Sequence, residues 1–107
     1  MSRYVHKKMS YEKQDEYLRE FCEVLQELDT VQEKMNFLKD LLNRGERIML
    51  IRRFKIAFML VMEKTYDDII KALRTGRGTI AKVERLVNFG RGGYRNAIKK
   101  IASRNKR

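Results

Sequence analysis

The stretch from Lys64 to Phe89 reads KTYDDIIKALRTGRGTIAKVERLVNF and contains the strongest structural pattern of the chain. Thr65, with Asp68 three positions later, predicts the start of a short helix, because Thr is a preferred N-cap residue and acidic side chains suit the positive end of a helix dipole. The residues expected on its buried side are Ile69, Ile70 and Leu73. Gly76 and Gly78 then permit a tight turn.

A second helix is predicted directly after this turn, beginning at about Gly78 or Thr79 and ending at Phe89. The residues expected on its inner side are Ile80, Val83, Leu86 and Val87. A short helix, a glycine-containing turn and a second helix form the helix-turn-helix layout. The pattern is moderately specific, since other helical hairpins can imitate it, and the turn lacks the Gly-Lys-Ser/Thr ending of a nucleotide-binding loop.

The outer side of the second helix has a composition suited to duplex DNA. The residues expected there are Arg77, Gly78, Ala81, Lys82 and Arg85. Small residues allow the helix backbone to approach base edges in a major groove, and cationic side chains neutralise the flanking phosphates. This face therefore predicts contact with a polyanion.

The charge of the chain is concentrated in the same region. Residues 1–63 carry 12 Lys+Arg against 11 Asp+Glu, whereas residues 64–107 carry 13 against 3, within a total net charge of +11. A basic surface that served only solubility would be spread more evenly. The distribution favours a nearly neutral scaffold followed by a part that binds phosphate.

Three helices are predicted before this region. The first begins at Ser10 and has an apolar stripe, and Thr30 with Glu33 forms a capping box that starts the second. Asn43 with Glu46 predicts the start of a third helix, from about Arg44 to Met62, which is apolar on every side. Two other helices of a 107-residue chain can hardly cover it, so we expect a homodimer with this helix at its centre; burial within one chain is the alternative.

A last helix is predicted after Gly90, from about Tyr94 to Ser103. The residues expected on its packed side are Ala97, Ile98 and Ile101. The cations around the rest of it are Arg95, Lys99, Lys100 and Arg104. We expect this helix mainly to pack against the rest of the domain, although its cations can also contact phosphates beside the binding site.

Other chemistry is not supported by the sequence. The single cysteine, Cys22, excludes an internal disulfide framework, and the single histidine, His6, argues against a multi-histidine metal site. The sequence also contains clusters of carboxylates on polar helix faces, so we expect no enzyme activity, no cofactor and no bound metal. These clusters are Asp67-Asp68, Glu12 with Asp15-Glu16, and Glu20 with Glu23. Cys22 is expected in the core. Neither a membrane span nor a signal peptide is recognisable, which predicts a cytoplasmic protein without membrane partners.

Several of these motifs together resemble the Trp repressor superfamily, and especially its Trp-repressor-like YerC/YecD branch. The resemblance rests on four segments: RFKIA at 53–57, KTYDDI at 64–69, GTIAKV at 78–83 and LVNFG at 86–90, the last followed by Gly93-Tyr94. It covers roughly Tyr11 to Ile101. It implies an all-α fold of about six helices, an interlocked homodimer with a helix-turn-helix in each chain, and operator binding in transcriptional regulation.

The sequence also departs from that family. Arg74 stands at the turn position where the family usually has Gly, and Ile70 where helix-turn-helix proteins commonly have a smaller residue. The resemblance implies a corepressor pocket, of which Arg52 and Lys82 are the expected remnant. Val83 would obstruct a tryptophan ring and Leu86 cannot hydrogen-bond the ligand, so no tryptophan binding is expected; any other effector is unknown.

These observations lead to one interpretation of the whole chain. We expect a flexible basic arm at 1–9, a single domain at 10–103 with dimerisation helices at 10–63, a helix-turn-helix at 64–89 and a C-terminal helix at 93–103, and a basic tail at 104–107. The residues expected to bind duplex DNA are Arg74, Gly76, Arg77, Gly78, Thr79, Ala81, Lys82, Arg85, Arg91, Arg95 and Lys99. The alternative is a basic helical dimer that binds RNA, ribosome or protein, which charge alone does not distinguish.

Overall fold

The computed structural model describes residues 9–105, and all regular secondary structure within them is α-helical. The helices are α1 (Tyr11–Glu27), α2 (Val31–Leu41), α3 (Arg44–Val61), α4 (Tyr66–Leu73), α5 (Arg77–Phe89) and α6 (Gly93–Asn105). The all-α class and the number of about six helices are confirmed. The predicted arm, apart from Met9, lies outside the described residues, as do His6 and the last two residues of the predicted tail.

Two compact units make up the chain, Met1–Asn43 and Arg44–Arg107. In the first unit, the Ser10 side chain accepts a hydrogen bond from the Lys13 backbone and starts α1. The predicted capping box of Thr30 and Glu33 starts α2. The rings of Phe21 and Phe37 stack with centroids 5.7 Å apart, which joins α1 to α2.

The second unit is built around α3, which contacts α4, α5 and α6. Its buried side chains come from all four helices: Ile56, Ala57, Ile69, Ile80, Val83, Val87 and Ile98. Their spacing on α5, with Ile80, Val83 and Val87, is that of one helical stripe. This core holds the two helices of the helix-turn-helix against α3 and so fixes which face of α5 remains outside.

Local capping sets the ends of the helices in this unit. Thr65 and Asp68 form a reciprocal capping box at the start of α4. At the end of α3, the N–H groups of Glu63 and Lys64 donate to the carbonyls of Leu60 and Met59, over 3.0 and 2.9 Å, in a Schellman arrangement. Glu63 has a φ of 63° there, in the left-handed region that favours glycine.

The turn between α4 and α5 also requires a left-handed residue. Arg74 follows α4 with φ 51° and ψ 50°, and its N–H donates to the Ile70 carbonyl over 2.8 Å. This conformation explains why a glycine suits that position, since a side chain in the left-handed region costs about 1–2 kcal/mol. Arg74 adopts it nevertheless, and the chain then enters α5 through Gly76.

Five details differ from the expectations. Helix α5 begins at Arg77, one or two residues before the predicted start, and α6 extends to Asn105 rather than Ser103. Leu86 is 55% exposed, because about 100° per residue places it beside the stripe of Ile80, Val83 and Val87. Cys22 is exposed rather than in the core, and of the three residues expected on the packed side of α6 only Ile98 is buried.

Large apolar side chains remain exposed along the first part of α3. They are Ile48, Met49, Leu50, Ile51 and Phe54. Within α3 only Ile56 and Ala57 are buried. Within the unit Arg44–Arg107, these side chains are therefore not covered by α4, α5 or α6.

Candidate nucleic-acid interface

The outer face of α5 combines small and cationic residues. Gly78, Ala81, Lys82 and Arg85 are all exposed, as the sequence predicted. The side chains of Lys82 and Arg85 form no ion pair or hydrogen bond with any residue between 9 and 105. An added Cβ at Gly78 would meet nothing within 4 Å. The face therefore offers two uncompensated positive charges and one stretch of bare backbone to a ligand that approaches it.

Phe89 lies on the same outer face and was not predicted as a functional residue. It is 85% exposed, the largest exposed fraction among the large apolar side chains of the described chain. Helical spacing places it four residues after Arg85 and seven after Lys82, which aligns the three side chains. In the sequence, a single phenylalanine at the end of a helix does not indicate a functional role.

Arg77, the first residue of α5, is held by the first turn of α4. Its Nη2 atom donates to Asp67 Oδ1 over 2.6 Å, and its Cζ atom lies 5.9 Å from the centroid of the Tyr66 ring. Both charged side chains are largely exposed, 64% for Arg77 and 79% for Asp67. The sequence placed Arg77 outside the core but did not indicate that Asp67 would be its partner.

Tyr66 joins the same two helices through its hydroxyl group. The Tyr66 hydroxyl donates to Glu84 Oε1 over 2.5 Å, and both residues are half-buried. This hydrogen bond is the main reason why the pKa of Tyr66 is raised above its ordinary value; partial burial and the charge of Glu84 act in the same direction, and Arg77 opposes them. The ring under Arg77 is thus fixed at its far end by α5.

The predicted phosphate-binding residues fall into two groups. The side chains of Arg74, Arg91 and Lys99 are exposed and form no hydrogen bond or ion pair with another described residue. Arg95 is engaged: its Nε atom donates to the Val87 carbonyl over 3.1 Å and its Nη2 atom to Asn88 Oδ1 over 2.8 Å. Arg95 therefore closes the C-terminal end of α5, a role that the sequence pattern did not indicate.

A cleft between α3, α5 and the start of α6 brings together the two residues expected to remain from a ligand pocket. It has a volume of about 460 Å³ and is lined by Met49, Arg52, Arg53, Thr75, Thr79, Lys82, Val83, Leu86 and Tyr94. Its wall includes Val83, which is expected to obstruct an aromatic ligand, and Leu86, which cannot hydrogen-bond one. Thr79 lines this cleft as well as standing in the first turn of α5.

Dividing the chain at the boundary between its two structural units separates the charge more sharply than dividing it between residues 63 and 64. Residues 1–43 carry 7 Lys+Arg against 9 Asp+Glu, a net charge of −2, and residues 44–107 carry 18 against 5, a net charge of +13.

Between residues 9 and 105, no group of three or more His, Cys, Asp or Glu side chains is placed to hold a metal ion. No helix in that range is long and apolar enough to cross a membrane.

Known proteins share both the sequence pattern and the fold. The family model described as Trp repressor protein matches residues 16–102. A crystal structure described as that of a TrpR-like protein from Eubacterium eligens ATCC 27750 is similar to the chain with a TM-score of 0.76 and 26% sequence identity, over 81% of this chain and 90% of that one. No curated protein matches the sequence significantly.

Proposed function

The chain belongs to the Trp repressor family, a family of DNA-binding regulators rather than enzymes, and on that premise we propose that it is a sequence-specific transcriptional regulator that binds duplex DNA as a homodimer. The helix-turn-helix would place α5 in the major groove of each half-site. A cytoplasmic location is part of the proposal.

The outer face of α5 is the observation that carries this proposal. Lys82 and Arg85 are exposed without a partner among the described residues, next to the small residues Gly78 and Ala81. Direct contacts are assigned to Arg77, Thr79, Lys82 and Arg85. Phosphate contacts are assigned to Arg74, Arg91, Arg95 and Lys99, with Gly76, Gly78 and Ala81 allowing close approach of the backbone. The net charge of +13 on residues 44–107 supports attraction to a polyanion.

The exposed apolar side chains of α3 support the homodimer. Leu50 and Ile51 are about half exposed, and neighbours on both sides of the helix are exposed too. A contiguous apolar surface of this kind is typical of a protein–protein interface. A second copy of the chain would cover it and place two α5 helices about one turn of DNA apart, which favours a roughly palindromic site. Sedimentation is expected to give twice the 12.9 kDa of one chain.

We also propose that tryptophan is not the corepressor. Val83 and Leu86 occupy the wall of the cleft in which the family resemblance would place the ligand ring, and neither side chain can donate a hydrogen bond. Calorimetry with L-tryptophan is expected to show no saturable heat. Saturable binding in the micromolar range would contradict this part of the proposal without affecting DNA binding. No effector is assigned in its place.

Selection of binding sites from random duplex DNA tests the proposed function. The expected result is a two-fold symmetric motif, with affinity lost in Arg77→Ala and Lys82→Ala and retained in Arg19→Ala. Arg19 is an exposed arginine of α1, so this control removes the same charge from the unit of net charge −2. If selection enriched no motif while RNA or a ribosomal fraction bound tightly, the alternative of a basic helical dimer acting on RNA, ribosome or protein would replace the proposal.

A further inference from the structure

The first turn of α4 and the first residue of α5 form a connected group of four side chains. Asp67 accepts a hydrogen bond from Arg77, the Tyr66 ring lies beneath the Arg77 guanidinium, and the Tyr66 hydroxyl donates to Glu84. The group links both helices of the helix-turn-helix at the end where α5 begins. Three of the four residues, Tyr66, Asp67 and Glu84, have no role in the proposed contacts with DNA.

We propose that Asp67 is a specificity-determining positioning residue, which together with the Tyr66 ring holds the Arg77 guanidinium so that its remaining donors meet one base pair. The inference rests on the proposed function. An unrestrained arginine at a helix end has many rotamers and reaches phosphates and bases alike. An arginine side chain that is held at two points has a defined direction, and recognition of a base requires such a direction.

The chemistry of the guanidinium leaves room for such a contact. It has five N–H donors, and Asp67 takes one of the two on Nη2. Whichever of these two hydrogens is used, one edge of the guanidinium keeps a pair of parallel donors. A pair of that geometry matches the O6 and N7 acceptors of guanine in the major groove. Asp67 can therefore remain bound to Arg77 while Arg77 contacts a G·C pair.

The negative charge of Asp67 also acts against non-specific contacts. A carboxylate 2.6 Å from the Arg77 guanidinium offsets its attraction to phosphate, which all sequences share. A base pair that offers two acceptors in the correct direction still competes for the remaining donors. The ion pair thus lowers the affinity for arbitrary duplexes more than the affinity for the matching site, and the ratio of the two is what defines specificity.

The test measures discrimination at single base pairs with the full chain and the duplex obtained by selection. For each symmetric pair of positions, the base pair is changed in both half-sites of the selected duplex. The dissociation constant of this substituted duplex is then divided by that of the selected duplex, both measured at one salt concentration. Arg77→Ala identifies the position that Arg77 reads. Asp67→Asn is expected to lower the ratio at that position by about fivefold or more, within the range of a bidentate base contact, and to leave the other positions within twofold. When Arg77→Ala is already present, Asp67→Asn should not change the ratio at that position any further.

The matched control is Glu63→Gln, which makes the same change of charge at an exposed residue of the same unit. It should leave every ratio unchanged. If Asp67→Asn tightens binding to all duplexes equally, or weakens it equally at all positions, Asp67 acts only through charge or folding and the inference is wrong. If the wild-type chain itself discriminates among no positions, the proposed function fails and the inference with it. Discrimination that persists unchanged in Asp67→Asn contradicts the inference alone.

Discussion

Arg95 of α6 donates a hydrogen bond from its Nε atom to the backbone carbonyl of Val87 in α5, over 3.1 Å. This carbonyl is among the last four of α5, which a helix leaves without an N–H partner of its own. The same guanidinium also reaches Asn88 Oδ1. A residue predicted from the sequence to bind phosphate is thus bonded to the end of the helix that carries the proposed DNA-binding face.

Arg95→Ala is therefore expected to lower the free energy of unfolding, by about 1–2 kcal/mol, because the Val87 carbonyl loses its donor. Lys99→Ala is the matched control, since Lys99 lies one turn further along the exposed side of α6 and loses the same charge. That control should stay within about 0.5 kcal/mol of the wild type. Urea denaturation followed by circular dichroism measures both values, and equal stabilities would refute the assigned role of Arg95.

Arg74 gives a case in which stability and DNA affinity are expected to change in opposite directions. Its left-handed backbone, with φ 51°, is strained for any residue with a side chain. Arg74→Gly should raise the free energy of unfolding by about 0.5–1 kcal/mol and weaken DNA binding, since one phosphate contact is lost. Arg74→Lys, which keeps both the charge and the strain, should leave both quantities close to wild type. A less stable Arg74→Gly variant would contradict the geometry of the turn.

Two glycine substitutions on and after α5 are expected to have opposite effects on stability. A Cβ added at Gly90 would lie 2.4 Å from the Leu86 carbonyl oxygen, so Gly90→Ala must displace the end of α5 and should cost about 1–3 kcal/mol. At Gly78 an added Cβ meets nothing within 4 Å, and Gly78→Ala should stabilise the unbound protein by about 0.5–1 kcal/mol through helix propensity. Thermal unfolding distinguishes them. If Gly78→Ala also leaves DNA affinity unchanged, close approach of the α5 backbone to the bases is excluded.

The two capping boxes predict a dependence of stability on acid pH. The pKa of Glu33 is lowered by hydrogen bonds from the backbones of Thr30 and Asp29, and the pKa of Asp68 is lowered by those from Thr65. A carboxylate whose pKa is depressed by folding stabilises the native state above its unfolded pKa, near 4, and this stabilisation is lost as the pH falls through the folded pKa. Unfolding free energies should therefore decrease below about pH 4.

Glu33→Gln and Asp68→Asn should each flatten that decrease, since the titrating group has been removed. Glu23→Gln, at an exposed position in the middle of α1, is the control and should not change the slope. Denaturant titrations between neutral and acid pH provide the measurement. Identical slopes in the capping variants and the wild type would mean that other carboxylates account for the acid sensitivity.

Local chemistry made much of the fold predictable from the sequence. The capping boxes at Thr30 and Thr65, the apolar stripes and the glycine-containing turn depend on residues within one or two helical turns, and the helices begin and end close to where those signals place them. The exposed cations of α5 follow from the same periodicity. Leu86 was assigned to the wrong side because it borders the stripe, where a difference of about 100° decides exposure.

Contacts between helices were not predictable in the same way. The partner of Arg77 is ten residues away and that of Arg95 eight, and both pairs depend on how the helices cross rather than on any local pattern. The same holds for Cys22, since periodicity alone does not show which neighbour covers the edge of an apolar stripe. The exposed apolar surface of α3 was recognised because it follows from composition: a helix apolar on all sides has more such residues than one small chain can cover.

Directed cleavage of DNA from α5 would show whether this helix enters the major groove of two symmetric half-sites. Cys22 is the only cysteine and is exposed, so Cys22→Ser with Phe89→Cys allows one iron chelate to be attached at the exposed C-terminal end of α5, outside the residues assigned to contact DNA. On the selected duplex we expect two clusters of cuts, related by two-fold symmetry and centred about 10 base pairs apart. Uniform cutting along the duplex, or a single unsymmetric cluster, would contradict binding by a dimer through α5.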